Sequence, residues 1–245
     1  MKSRTLVIGD IHGGLKALEQ VIDRAAVSQD DHLIFLGDYV DGWSQSAQVI
    51  EFLIKLEQTH SCIFIKGNHD VWCEDWLNGE RPDHTWLFHG GQATVESYQD
   101  LTDADRTIHL DFFERMKFYH IDAANRLFLH AGFTSINGVE NELYQSDLTL
   151  DRSLWEVALK MDKSTKHDSS IYPKRMLLYH EIYIGHTPTL YYDTDVPMHG
   201  CNVWNMDTGA AFTGKLSVMD IETKEYWQSD SVASLYPNER GRNRN

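Results

Sequence analysis

The chain has 245 residues, 42% hydrophobic and 24% charged, which suits one large domain with a proper core and is ordinary for a globular enzyme. A formal net charge of -15 repels nucleic-acid backbones and excludes non-specific binding to DNA or RNA. No apolar run approaches the roughly 20 residues that cross a bilayer. The start, MKSRTLVIGD, has too short an apolar run for a secretory signal, and Cys62, Cys73 and Cys201 form no CxxC pair; a reduced, cytoplasmic protein with no membrane or nucleic-acid partner is expected.

In chain order, RTLVIGD reads as a short buried strand ending in a Gly turn, and apolar spacing predicts a helix over 15–27. HLIFLGD is a second strand with the same ending, SAQVIEFLIKLEQ a second amphipathic helix, and CIFIKGN a third strand, followed by a helix near DVWCEDWL. Alternation of this kind implies βαβ units and a largely parallel sheet, with functional groups at the carboxyl ends of its strands. HGGQATVESYQ predicts a Gly turn into a helix, and RTIHLDFFERMKFYHI another helix. RLFLHAG and EIYIGHT are further apolar strands ending on His130 and His186. NVWNMDTGA and GKLSVMDIETKEYWQ read as strands of a second sheet. The division expected is one domain over 1–228, with an insertion over the site at 133–180 that holds a helix near RSLWEVALKM and a polar segment, DKSTKHDSS. The tail 229–245, ending NERGRNRN, is expected to be flexible.

Three strands end alike, in VIGD, FLGD and IKGN: a Gly that permits a sharp turn, then an oxygen-bearing side chain. In a parallel sheet these tips converge. The strings GDIHG, GDYVDG, GNHD, HAG and GHT therefore bring together Asp10, His12, Asp38, Asp41, Asn68, His69, His130 and His186. Oxygen and imidazole ligands without cysteine suit borderline divalent metals such as manganese, iron or zinc rather than a structural zinc site. Asp10, His12, Asp38, Asn68, His130 and His186 are too many for one ordinary ion but could supply two, about 3.5–4 Å apart, with one carboxylate shared. Asp38 is the natural bridge, since its strand lies between the others in chain order. Two divalent ions against two carboxylates leave positive charge for a phosphate and can acidify a water into a hydroxide nucleophile.

These five strings, in this order from about Leu6 to Val218, resemble the calcineurin-like metallophosphoesterase superfamily, and within it the small bacterial serine/threonine type of the phosphoprotein phosphatase family. The resemblance implies an α/β (α+β) fold: a β-sandwich of two mixed sheets flanked by helices. It implies a first metal on Asp10, His12 and Asp38, and a second on Asp38, Asn68, His130 and His186. His69 becomes the general acid, oriented by Asp41. The activity implied is a two-metal phosphomonoesterase, manganese first among its metals, acting on phosphorylated proteins or peptides by direct attack of metal-bound hydroxide. Dinucleoside polyphosphate hydrolases share the scaffold and are the alternative, although they often lack the Asp that stands here as Asp41. A phosphodiesterase reading meets GHTP, with Pro188, where those enzymes usually carry GHxH. An inactive scaffold would show eroded ligands, and none is visible.

Some roles stay open in the sequence. Asp70 could cap the helix after it or take part in catalysis. The family usually has an Arg after the second Asp of GDxVD, where this chain has Gly42 and Trp43. Arg152 resembles a second phosphate-holding Arg, for which a guanidinium fork is suited, or it forms a surface salt bridge. Trp43 could stack on a substrate ring or close the cleft, and His89 could touch substrate.

Overall fold

Period-two alternation along the strands sorts their side chains into three apolar layers. In strand β1 (Thr5–Ile8), Leu6 and Ile8 face one way and Val7 the other; in β2 (His32–Phe35), Leu33 and Phe35 oppose Ile34. Strands β3 (Ser61–Phe64), β4 (Tyr119–Ile121), β5 (Arg126–Leu129) and β6 (Glu181–Ile184) follow, then β7 (Met198–Gly200), β8 (Val203–Asn205), β9 (Ser217–Asp220) and β10 (Tyr226–Gln228). The computed structural model describes residues 3–161, 165–166 and 168–243. Among them are two five-stranded mixed sheets, ordered β10-β9-β1-β2-β3 and β4-β5-β6-β8-β7. The inner layer, Val7, Ile34, Phe128, Tyr183, Met206 and Met219, lies between the sheets, with Phe128 and Tyr183 stacked at 5.0 Å. Helices α1 (Leu15–Arg24), α2 (Ser46–Leu56) and α3 (Asn68–Leu77) cover the outer face of the first sheet. No helix among the described residues is long and apolar enough to cross a membrane.

The parallel runs β1-β2-β3 and β5-β6-β8 bring six strand ends together at one rim. Segment 133–180 is a packed layer on the outer face of the second sheet, where Phe133, Leu148, Leu154, Trp155, Tyr172 and Met176 are buried. Part of DKSTKHDSS lies outside the described residues.

Three sequence expectations need correction. The strand residues within 217–228 do not join 203–205 in one sheet: β8 pairs in parallel with β6, whereas β9 pairs antiparallel with β1, and β10 with β9. Every residue of β9 is buried, so it closes an edge of β1 that would otherwise present unpaired backbone. The helix predicted over RTIHLDFFERMKFYHI stops at Glu114, and Tyr119–Ile121 pairs instead with β5. The first helix ends at Arg24, before a turn in which Ala26 has a φ of 47°.

The tail also differs from expectation. Val232 is fully buried and Tyr236 is 2% exposed, stacked on Trp43 with ring centroids 5.3 Å apart. The Tyr236 hydroxyl donates to Gln45 Oε1 at 2.5 Å, and Ser44 N and Oγ donate to the Glu239 carboxylate at 2.9 and 2.7 Å. Residues 231–243 form a strap fixed to the turn that follows Asp41. Emptying a buried aromatic site costs about 3 kcal/mol or more. Denaturant unfolding of Tyr236→Ala should lose that amount, whereas a frayed tail would lose nothing measurable.

Candidate active site

The string GNHD is the first turn of α3, not a loop before it: Asn68, His69 and Asp70 are its first three residues and Gly67 is its N-cap. Asp70, fully buried, accepts from Gly67 N at 2.8 Å, as an N-terminal cap would. It also accepts from Asp38 N at 2.7 Å and Tyr39 N at 2.9 Å, so one carboxylate ties the turn after β2 to the start of α3. Burial, then the charge of Asp38, pushes the Asp70 carboxyl up to about 8, while these N–H donors pull the other way. A Cβ on Gly67 would strike the Asp38 carboxylate, so only glycine allows this approach.

Asp38 occupies the centre. His69 N donates to its Oδ1 at 3.0 Å, while its Oδ2 lies 3.3 Å from His130 Nε2, 3.6 Å from His12 Nε2 and 4.0 Å from His69 Nε2. Burial works against the charged form, but His130, His69 and His12 outweigh it and hold the Asp38 carboxyl well below its usual range. Second contacts fix the rings. His130 Nδ1 donates to Leu36 O at 2.8 Å and His12 Nδ1 to Asp41 O at 2.9 Å, which leaves each Nε2 for a ligand. His186 N donates to Asp10 Oδ2 at 3.0 Å, joining the last ligand string to the first. His12, Asp38, Asp41 and His186 all have left-handed backbones, with φ of 54°, 53°, 71° and 67°. Each costs on the order of 1 kcal/mol, the kind of strain that collects at functional sites.

These residues fit a pair of cations. The groups His12–Asp38–His69 and Asp38–His130–His186 each place three candidate ligand atoms within 4.8 Å of one another, and Asp38 belongs to both. Asp10 Oδ1, Asn68 Oδ1 and His130 Nε2 are buried without a hydrogen-bond partner. Unpaired buried polar atoms are costly, and an ion would satisfy all three. Burial lowers the His12 and His186 rings towards the neutral, ligating form. Burial, then the charge of Asp207, raises Asp10, the sign of a pocket short of positive charge. His69 falls in the first group where the resemblance places Asp10, which is 3.9 Å from His12 Nε2. The His69 ring is otherwise engaged: its Nδ1 donates to Asp41 Oδ2 at 2.6 Å. Asp41, fully buried, also accepts from Trp86 Nε1 at 2.7 Å and Thr94 Oγ1 at 2.6 Å.

Asp38, Asn68, His69 and His186 line a cavity of about 400 Å³ together with Trp72, His89, Arg152, Tyr191, Phe212 and Arg242. Arg152 lines this cavity and makes no ion pair among the described residues, and its charge bears on His186. Trp43 has no access to the cavity: it is fully buried and donates from Nε1 to Ala210 O at 2.7 Å. Four contributors escape sequence reasoning. Asp207 is a buried carboxylate beside Asp10, raised to about 6 by burial and set in the string NMDTGA. Trp86 and Thr94 hold Asp41 from the segment around HGGQATVESY. Arg242 arrives from the tail, where the sequence carries no signal for it.

The pattern of the calcineurin-like phosphoesterases matches residues 3–204. The chain belongs to that family. It is a metallophosphoesterase, a hydrolase of a family that uses a pair of divalent metals. It is 25% identical to the bis(5'-nucleosyl)-tetraphosphatase PrpE [asymmetrical] of Oceanobacillus iheyensis, over 94% of this chain and 92% of that protein. The protein of the same name from Anoxybacillus flavithermus is 26% identical, over 94% of each chain. A Saccharomyces cerevisiae protein serine/threonine phosphatase with similarity to human PP5 shares the fold, at a TM-score of 0.64 and 11% identity, over 94% of this chain and 80% of that one.

Within this phosphoesterase, Asp70 can be tested directly. Above pH 8, where the Asp70 carboxyl is ionised, Asp70→Asn turns one acceptor oxygen into an NH₂ donor facing backbone N–H groups, which should cost about 2 kcal/mol in denaturant unfolding. Full stability with activity lost would instead give Asp70 a purely chemical role.

Proposed function

We propose that this phosphoesterase cleaves a phosphoric anhydride bond in a dinucleoside polyphosphate, with diadenosine tetraphosphate as the representative substrate. The observation that carries this reading is the make-up of the cavity at the Asp38 cluster. It is lined by Asp38, Asn68, His69 and His186, by Arg152, and by three aromatic rings, Trp72, Tyr191 and Phe212. A bare phosphate needs none of those rings, whereas a nucleoside base can stack on them and a polyphosphate can engage the guanidinium. The name carried by the relatives that match nearly end to end supports the same choice.

In this proposal Asp10, His12 and Asp38 hold one divalent ion and Asp38, Asn68, His130 and His186 the other, with manganese first and iron or zinc also suited to the donor set. When bound, the pair supplies positive charge to phosphate oxygens and makes a water more acidic. Arg152 forks the phosphate oxygens and fixes the phosphorus for in-line attack. His69 keeps one proton on Nδ1 against Asp41 and turns Nε2 to the cavity, where its proton passes to the leaving oxygen. Water adds to phosphorus and gives up one proton to solvent, the bridging P–O bond breaks, and the departing oxygen takes the electron pair and the His69 proton, which solvent then restores.

A phosphomonoesterase of phosphorylated proteins is the second reading, and the 2.6 Å Asp41–His69 contact favours it. A serine alkoxide leaves badly without a proton, so it gains more from a positioned acid than a phosphate leaving group does. A rate panel on manganese-loaded enzyme separates the two. Diadenosine tetraphosphate should exceed a phosphoserine peptide in kcat/KM by roughly 100-fold or more, since a site built for one ligand's polar groups discriminates strongly. Faster turnover of the peptide would overturn the proposal in favour of the second reading.

A further inference from the structure

Gly42 stands where the resemblance leads one to expect an arginine, and the space is not empty. Gly42 (φ 124°) and Gly90 (φ 111°) face each other, with Gly42 N donating to Gly90 O at 3.2 Å. A Cβ on Gly42 would lie 3.4 Å from Arg242 Cγ, and one on Gly90 3.2 Å from the same atom. The Arg242 side chain therefore runs over a floor made of two bare glycines. The strap holds it there. Arg242 N donates to Ala211 O at 2.8 Å, and Glu239 and Tyr236 fasten the preceding residues to Ser44, Gln45 and Trp43.

The guanidinium carbon lies 5.4 Å above the Phe212 ring, and Nη2 is 3.5 Å from His89 Nδ1. Among the described residues Arg242 makes no ion pair with a carboxylate, although the chain carries a net charge of -15. It lines the cavity that holds Asp38, Asn68, His69, His186 and Arg152. It also borders a second cavity of about 480 Å³, with Phe88, Gly90 and Arg240. The position of the Gly42 Cβ, 3.3 Å from His12 O, sets Arg242 on the His12 side of the cluster. Arg152 lines the same cavity, and its charge bears on His186.

We propose that Arg242 is the second guanidinium of the phosphate site, carried by the C-terminal strap into the space left at Gly42 and Gly90, and acting with Arg152 on the same phosphoryl group. A position emptied in one motif is refilled from a segment some 200 residues away in sequence. Planar forks on two sides of a phosphate suit its tetrahedral oxygens better than a single fork. Both positions have the positive φ that favours glycine, and a Cβ at 90 would meet Gly42 N at 2.8 Å and crowd Arg242 Cγ at 3.2 Å, whereas one at 42 would only touch Arg242.

The inference rests on phosphoester hydrolysis but on neither choice of natural substrate. Inorganic phosphate is therefore the probe, and a failure here leaves the substrate panel undisturbed. Calorimetry on manganese-loaded full-length protein should show phosphate binding weakened roughly 10- to 100-fold in Arg242→Ala, the worth of a charged hydrogen-bonding fork. Arg242→Lys should fall between, because it keeps the charge and loses the fork. KM for nitrophenyl phosphate should rise in step, with metal content at the wild-type level. Millimolar free guanidinium should restore part of the loss in Arg242→Ala and do nothing for the wild type. Wild-type phosphate affinity in both variants would overturn the assignment. So would a loss that guanidinium cannot rescue and that comes with a lowered melting temperature, which would make Arg242 a packing residue.

Discussion

One carboxylate oxygen organises the site. Asp38 Oδ2 lies within 4.0 Å of three imidazole nitrogens, on His130, His12 and His69. His130, foremost among them, holds the Asp38 carboxyl well below its usual range against its burial. Asp38 can sit there only because its own backbone is in the left-handed region and because Asp70 clamps Asp38 N, Tyr39 N and Gly67 N together. The Asp70 clamp docks the N-terminus of α3 against Asp38, and that docking presents Asn68 and His69 to the centre. Without it the strand ends would still converge, but the side chains they carry would not share one point.

The sandwich supplies the convergence. Two sheets with parallel central strands carry Asp10, Asp38 and Asn68 on strand ends of the first and His130 and His186 on strand ends of the second, with Phe128 and Tyr183 of the second sheet in the apolar layer between them. Hydrogen bonds stitch across that gap at the chemistry itself: His130 reaches back to Leu36 O, and His186 N to Asp10. The site is thus also part of the glue between sheets. Three unpartnered buried atoms, Asp10 Oδ1, Asn68 Oδ1 and His130 Nε2, gather at this one site. They fall where positive charge would complete the balance of Asp10, Asp38 and Asp207.

Much of this was legible in the sequence because it is local. Alternation with period two fixes which side of a strand is buried, and a Gly followed by Asp, Asn or His marks a strand end whatever the rest of the chain does. The identity of the converging groups could therefore be read before any coordinates. What escaped is non-local. Strands 217–220 and 226–228 look alike from either sheet; only the open edge of β1 decides where they go. Trp43 looks like a cleft residue until Tyr236 is found stacked on it. A tail such as NERGRNRN reads as solvated because polar residues predict nothing about where a backbone docks, yet Glu239 and Arg242 both have defined places. Asp70 needed the structure to choose between its roles, because two of its three donors come from a different strand end.

The shared position of Asp38 is the claim on which the rest stands, and metal stoichiometry addresses it most directly. Elemental analysis after purification with excess manganese should find two ions per wild-type chain. A folded Asp38→Ala variant should lose both together, because one side chain serves both sites. Retention of either ion at wild-type affinity would contradict a shared ligand and place the centre of the site elsewhere.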